Sequence, residues 1–155
     1  MEIKILEDRI QNSYLGDKNI ATIIKKFIYG KVIERNEDNV KEEYSIYYNK
    51  KHGEYKKWYR NGVLAIKCTY NYGKIEGECK EWYDNGKLDR QRIYKDGIMN
   101  GEYKKWQPNG ELRIECYYKD GYREGVYRSW KRGVLTSYCM YVKGELFVEK
   151  RSIYY

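Results

Sequence analysis

From Gly53 onward the chain is built of short strand-like runs, such as Glu54 to Tyr59 and Leu64 to Tyr70, each bounded by a glycine-containing turn signal. Runs of this length between such signals predict β-hairpins, with no helix among them. Asn-Gly stands at the centre of three hairpins, as Asn61-Gly62, Asn85-Gly86 and Asn109-Gly110. The dipeptide suits both positive-φ positions of a two-residue type I′ turn. That turn places Tyr59 opposite Leu64, Lys57 opposite Ile66, Tyr55 opposite Cys68 and Gly53 opposite Tyr70 on one side of the sheet. Trp58, opposite Ala65, falls on the other side. The same arithmetic sets Gly77 opposite Tyr94 and Gly101 opposite Tyr118, so a tyrosine ring has room over a residue without a side chain. The connections between hairpins carry their own turn signal, as in Tyr94-Lys95-Asp96-Gly97.

The hairpins repeat with a fixed period. Trp58, Trp82, Trp106 and Trp130 follow one another at intervals of 24 residues. Gly53, Gly77, Gly101 and Gly125 keep the same beat, as do Gly62, Gly86 and Gly110, with Gly133 one residue early. A third series, Gly73, Gly97, Gly121 and Gly144, follows Tyr70, Tyr94, Tyr118 and Tyr141 by three residues each. Such a frame marks a stacked array of one supersecondary unit. The expected fold is therefore all-β, an elongated single-layer antiparallel sheet of stacked 24-residue hairpin repeats. Single hairpins are marginal in water, so each must be held by its neighbours.

Four repeats are expected, at 53–76, 77–100, 101–124 and 125–147, followed by a tail at 148–155. The fourth has one residue fewer between Trp130 and Gly133, which calls for a different turn or a bulge. Upstream, Phe27-Ile28-Tyr29-Gly30 resembles Trp130-Lys131-Arg132-Gly133, and Tyr48 to Gly53 resembles the end of a unit. Residues 25–52 thus read as a degenerate repeat with an insertion from Asn36 to Asn39. The β-branched content of Ile20 to Ile33 favours strand. Residues 1–24 are expected to supply cap strands over a sheet edge that otherwise invites pairing with another chain.

Composition narrows the function. The chain has 155 residues with 31 Lys and Arg against 23 Asp and Glu, a net charge of +8 with the lone His52 neutral. Both signs are interspersed, so the excess is diffuse and a polybasic tail is excluded. Charged residues make up 35% of the chain and 20 residues are Tyr, so the interior must be thin or aromatic. No run approaches the ~18 apolar residues of a membrane helix. The start, MEIKILEDRI, lacks the apolar core of a signal peptide. A soluble intracellular protein is expected, cytoplasmic, or in the host cytoplasm or virion if the source is viral.

Candidate chemistry is sparse. Cys68, Cys116 and Cys139 share one repeat position, which Arg92 fills in the second unit, and Cys79 takes the slot of Tyr55, Tyr103 and Tyr127. Metal-binding cysteines cluster as Cys-x-x-Cys; these instead read as small apolar fillers. Cys68 is expected to face Cys79 across the turn between hairpins, provided Tyr70 faces Gly77 there, and both should be reduced thiols. His52 stands just before the array with no repeat equivalent and reads as a solvated loop residue. Glu54, Glu78 and Glu102 recur with the period, as do Asp96 and Asp120, as cross-strand partners and turn formers do. No catalytic residue, cofactor or metal site is expected, and the protein is read as a non-enzyme.

The unit Gly-Glu-Tyr-Lys-Lys-Trp-Tyr-Arg-Asn-Gly from Gly53, followed by Leu64, Tyr70 and Gly73, resembles a MORN-type repeat. More narrowly it is similar to the variant repeat of the YwqK-like antitoxin family, in which an aromatic, Asn-Gly and a later Tyr-x-x-Gly recur. It departs from the ordinary MORN spacing in that glycine stands five residues before tryptophan, with Tyr55 between. The resemblance implies an elongated, non-catalytic β array used for protein interaction, with phospholipid binding suggested for some members. Similar repeats occur in large DNA viruses of amoebae, and the excess of Lys, Asn, Tyr and Ile leaves both a viral and a bacterial source open.

The tryptophan column carries the main functional expectation. Trp58, Trp82, Trp106 and Trp130 should project from one face at about 9.6 Å per repeat, accompanied by Lys56, Lys80 and Lys104. Three readings stand: a packed aromatic ladder that only stabilises the sheet, a protein-binding face, or a surface for anionic lipid or nucleic acid. Glu54, Glu78 and Glu102 share this face and dilute its charge. The leading function is a scaffold or structural subunit for a protein partner, with neutralisation of a toxin or adhesion to anionic lipid or nucleic acid as alternatives. An edge-to-edge homo-oligomer is a further possible partner.

Overall fold

The computed structural model describes residues 29–35 and 40–151. They form one antiparallel sheet whose eleven strands lie side by side in chain order. The first two strands are β1 (Tyr29–Arg35) and β2 (Lys41–Tyr47), upstream of the repeats. The array follows as β3 (Lys50–Trp58), β4 (Leu64–Asn71), β5 (Lys74–Trp82), β6 (Leu88–Lys95), β7 (Ile98–Trp106) and β8 (Leu112–Lys119). It ends with β9 (Tyr122–Lys131), β10 (Val134–Val142) and β11 (Glu145–Arg151). Ten spacings of about 4.8 Å separate β1 from β11 by roughly 48 Å. The expected single-layer array of hairpins is what the chain forms. The cap expected at 1–24 and the insertion Asn36 to Asn39 lie outside the described residues.

Within each repeat the register is as expected up to the last residue before the turn. Gly53 pairs with Tyr70, Tyr55 with Cys68 and Lys57 with Ile66. Trp58 then pairs with Leu64, because the strand ends there and Ala65 is bulged. The two-residue type I′ turn expected at Asn-Gly is replaced by a five-residue loop, in which the Gly62 N–H donates to the Tyr59 carbonyl (2.9 Å) and the Tyr59 N–H to Val63 (2.8 Å). Only Gly62 has positive φ there; Asn61 does not. Asparagine is chosen for its side chain instead. Asn61 Oδ1 accepts the Val63 N–H (3.0 Å), and its Nδ2 donates to the Asp84 carbonyl of the next repeat (2.8 Å). Asn85 repeats both bonds, to Lys87 N–H (3.0 Å) and to the Pro108 carbonyl (3.0 Å). Type I′ geometry lies at the other end of the hairpins, where Tyr72-Gly73, Asp96-Gly97 and Asp120-Gly121 have both φ values positive. The shortened fourth repeat uses it too, at Arg132-Gly133, with a register shift in β10 between Leu135 and Ser137.

The first glycine of each unit has a different purpose from the one expected. Where β5 meets β4, the one residue of β4 between Lys67 and Thr69 is matched by three of β5 between Glu76 and Lys80, and Gly77 lies in that bulge with φ +74°. A Cβ on Gly53, Gly77 or Gly125 would meet nothing within 4 Å, so backbone conformation and not ring clearance selects glycine there. Gly101 alone is crowded: its Cβ would stand 2.6 Å from that of Ile93.

The second row of turns is stitched as firmly as the first. The N–H groups of Gly73, Gly97, Gly121 and Gly144 donate to the carbonyls of Lys51, Ile75, Met99 and Arg123 in the preceding repeat, at 2.8 to 2.9 Å. His52, expected as a solvated loop residue without equivalents, instead lies half-buried in β3 and fills the slot of Glu76, Asn100 and Glu124. This position caps the next turn: Tyr72 N–H reaches His52 Nδ1 (3.4 Å), Asp96 N–H reaches Glu76 (2.8 Å) and Lys143 N–H reaches Glu124 (2.7 Å).

The core is thin. Buried apolar residues are Tyr55, Ala65, Cys68, Cys79, Cys116 and Cys139, and among the described residues no large side chain is completely enclosed. Tyr55, Cys68 and Cys79 pack together, flanked by Tyr44, Ile66, Tyr70, Ile75 and Tyr94. The cysteines are free thiols and act as the small fillers expected, with Cys68 packed against Cys79. That contact arises although Tyr70 pairs with Ile75 and not with Gly77.

Replacing Asn85 by Ala removes an acceptor and a lateral donor and should cost about 1–2 kcal/mol in urea denaturation. Asn109→Ala, which removes the bond to Glu111 N–H (3.0 Å), should cost roughly half as much. Gly101→Ala should be worse than either, at about 3 kcal/mol, because strain at φ +144° adds to the clash with Ile93. Gly53→Ala, strained but unobstructed, should cost about 1–2 kcal/mol in the same measurement.

Candidate interaction face

Alternation along each long strand divides the sheet into two faces. On one, Tyr55, Cys68 and Tyr70 are joined by Lys51, whose Nζ stands 4.6, 4.3 and 5.6 Å from the ring centres of Tyr44, Tyr55 and Tyr70. Two repeats on, Tyr103 meets Tyr118 edge to face at 5.8 Å. At the far end Arg123 lies over Tyr127 and Tyr141 at 5.1 and 5.3 Å and donates to the Tyr141 hydroxyl (3.2 Å). Burial pushes the Cys116 thiol on this face up to about 11. These residues are occupied with one another. This face is the core.

Trp58, Trp82 and Trp106 end β3, β5 and β7, each paired with a leucine: Leu64, Leu88 and Leu112. Trp130 pairs with Leu135 inside β9. All four are half-buried. The backbone at Trp82 and Trp106 is held from the previous repeat, since the Tyr59 hydroxyl donates to the Trp82 carbonyl (2.7 Å) and the Tyr83 hydroxyl to that of Trp106 (2.8 Å). Lys41 Nζ stands 4.4 Å from the Trp58 ring centre, a cation already seated on this column.

The lysines expected beside the tryptophans are held by their own strands. Lys56 pairs with Glu54, Lys80 with Glu78 (2.7 Å) and Lys104 with Glu102 (3.1 Å), each two residues back on the same face. Across the hairpin Lys67 reaches Glu54 (2.9 Å). Hydrogen bonds from Lys56 and Lys67 hold the Glu54 carboxyl down, from the ordinary 4.5 to about 2. The tryptophan row is therefore aromatic with locally balanced charge.

One residue that the period does not single out completes this row. Asp89 occupies the repeat position of Ala65 and Arg113, where a small, an acidic and a basic residue follow one another in an otherwise constant frame. It is 8% exposed and accepts Arg90 Nε on Oδ2 (2.9 Å). A variable slot in a regular array was the signal available for finding it. Among the described residues no group of three or more His, Cys, Asp or Glu side chains is placed to hold a metal ion, and no helix is long and apolar enough to cross a membrane.

An open sheet of consecutive hairpins on a 24-residue period, with one face packed and one row of half-buried tryptophans, defines a β-repeat protein. The family model of the MORN repeat variant matches residues 51–72, 75–96 and 99–120. Each of the three matched stretches runs from early in one long strand to the first residue of the type I′ turn. No curated protein matches the chain in sequence.

The ion pairs of Glu54 set a pH dependence. Its folded pKa is depressed, so the stabilisation is present above the unfolded value near 4.5 and is lost as pH falls through about 2. A carboxyl-carbon NMR titration should show a Glu54 midpoint near 2 that moves upward in Lys67→Ala.

Proposed function

We propose that the protein is a non-catalytic repeat scaffold that binds a protein partner across Trp58, Trp82, Trp106 and Trp130. The repeat class favours a binding or scaffold role over catalysis. The observation that carries the reading is the unequal treatment of the two faces. The half-buried tyrosines of one face are paired ring to ring, as Tyr103 with Tyr118 and Tyr127 with Tyr141, whereas the tryptophans of the other stand half-buried in a sheet with no second layer. Aromatic rows of this kind suit interface anchors. Lys56, Lys80 and Lys104 are each engaged by a glutamate, which favours a protein over anionic lipid or nucleic acid as the partner. Neutralisation of a toxin would be one form of that partnership, with the toxin gene expected beside this one.

The test is capture of partners by the tagged full chain from its native cell, after nuclease treatment and a high-salt wash. A stoichiometric protein should remain bound, and Trp82→Ala with Trp106→Ala should weaken it by ~100-fold or more while circular dichroism shows the sheet retained. Unchanged affinity in the double variant would exclude this face. Recovery of lipid or nucleic acid alone, removed by salt, would exclude a protein partner.

A further inference from the structure

Between neighbouring hairpins the loops and strand ends enclose slots beside the tryptophans. One, of about 340 Å³, is lined by Trp58, Tyr59, Ala65, Glu81, Trp82 and Asp89. Another, of about 510 Å³, has Gln107, Arg113, Trp130 and Lys131 among its walls. Tyr59 and Gln107, Ala65 and Arg113, and Trp82 and Trp130 are each 48 residues apart, so the two slots are one architectural position with different chemistry. The first carries the carboxylates Glu81 and Asp89 beside one cation, Lys57, where the second carries only the cations Arg113 and Lys131.

Within the first slot the polar groups are nearly all accounted for. Glu81 is engaged by Arg90 (3.2 Å) and Arg92, and Lys57 by Glu42 (2.7 Å). Asp89 is the exception, since its Oδ2 has Arg90 while its buried Oδ1 has no hydrogen-bond donor. Tyr83 is close enough that burial, and then Asp89, push its phenol up to about 12, but its single proton is donated to the Trp106 carbonyl. Among the described residues no other buried side-chain oxygen lacks a partner. Buried carboxylate oxygens in native proteins are almost always satisfied, by protein, water or ligand.

We propose that the slot between Trp58 and Trp82 receives an arginine side chain of the protein partner, its guanidinium donating to Asp89 and lying against the tryptophans. This deepens the scaffold reading and rests on it. Arginine fits because its planar fork supplies several donors, stacks on aromatic rings and is more weakly hydrated than an ammonium group. The chain itself shows the affinity of this column for cations, through Lys41 on Trp58. A volume of 340 Å³, about eleven water molecules' worth, admits one long side chain and not a folded element. The equivalent slot at Trp130, with Arg113 and Lys131, repels the same group and serves as an internal control.

The experiment titrates N-acetyl-arginine methylamide into the ¹⁵N-labelled full chain and follows the four indole N–H signals. Saturable shifts at Trp58 and Trp82 with Trp130 unmoved are expected, and the uncharged citrulline analogue should bind at least about tenfold more weakly. Asp89→Asn should abolish that preference. Equal response to citrulline, equal shifts at all four tryptophans, or an undiminished preference in Asp89→Asn would each overturn the assignment. Should Asp89→Asn fail to fold, the arginine and citrulline comparison on the native chain decides. A partner held equally by the native chain and Asp89→Asn, yet lost with Trp82→Ala and Trp106→Ala, would overturn the slot and leave the scaffold standing.

Discussion

A sheet with no second layer has only sideways contacts with which to bury itself. Every stabilising feature of this molecule follows from that constraint. Tyr55 is covered by Tyr44 and Tyr70 from neighbouring strands, and Cys68 by Cys79 of the next repeat. The loops do the same with hydrogen bonds, since Asn61 and Tyr59 donate one repeat ahead and the glycine N–H groups donate one repeat back. Both rims of the sheet are thereby tied from one repeat to the next. The backbone ladder supplies the rest.

The same constraint explains why the repeats differ where they do. In three of them a tyrosine on the long strand pairs with a cysteine: Tyr55 with Cys68, Tyr103 with Cys116 and Tyr127 with Cys139. In the second, Cys79 pairs with Arg92. One large and one small residue are kept at each pair, with the large one moved to the other strand. Arg92 then reaches Glu81 and the Tyr94 hydroxyl (2.9 Å), so the exchange brings a cation into the packed face with partners ready for it. Packing volume along the array is conserved more strictly than chemistry.

Periodicity made the fold legible, because a residue copied every 24 positions must serve a role that every hairpin shares. The pairing of Gly53 with Tyr70 and of Tyr55 with Cys68 could be counted directly from the sequence. The turn type could not. Asn-Gly is the dipeptide of a type I′ turn, but here Asn61 spends its side chain on the following repeat, a contact invisible to reasoning about one hairpin at a time. His52 was unreadable for a related reason: its equivalents are Glu, Asn and Glu, alike only in offering a polar side chain to the next turn. The tryptophan row was named by its regularity, whereas Asp89 stands out through irregularity, and its missing donor is a fact of packing alone.

The turn-stitching bonds all span 19 to 23 residues, whichever repeat they join. Loop closure is thus equally short at every step, and lengthening the array adds no longer-range contact. Each hairpin is completed by its neighbours on both sides, so order spreads from any repeat to the next. A nascent chain leaving the ribosome can set its repeats one at a time, with at most a single unfinished hairpin exposed.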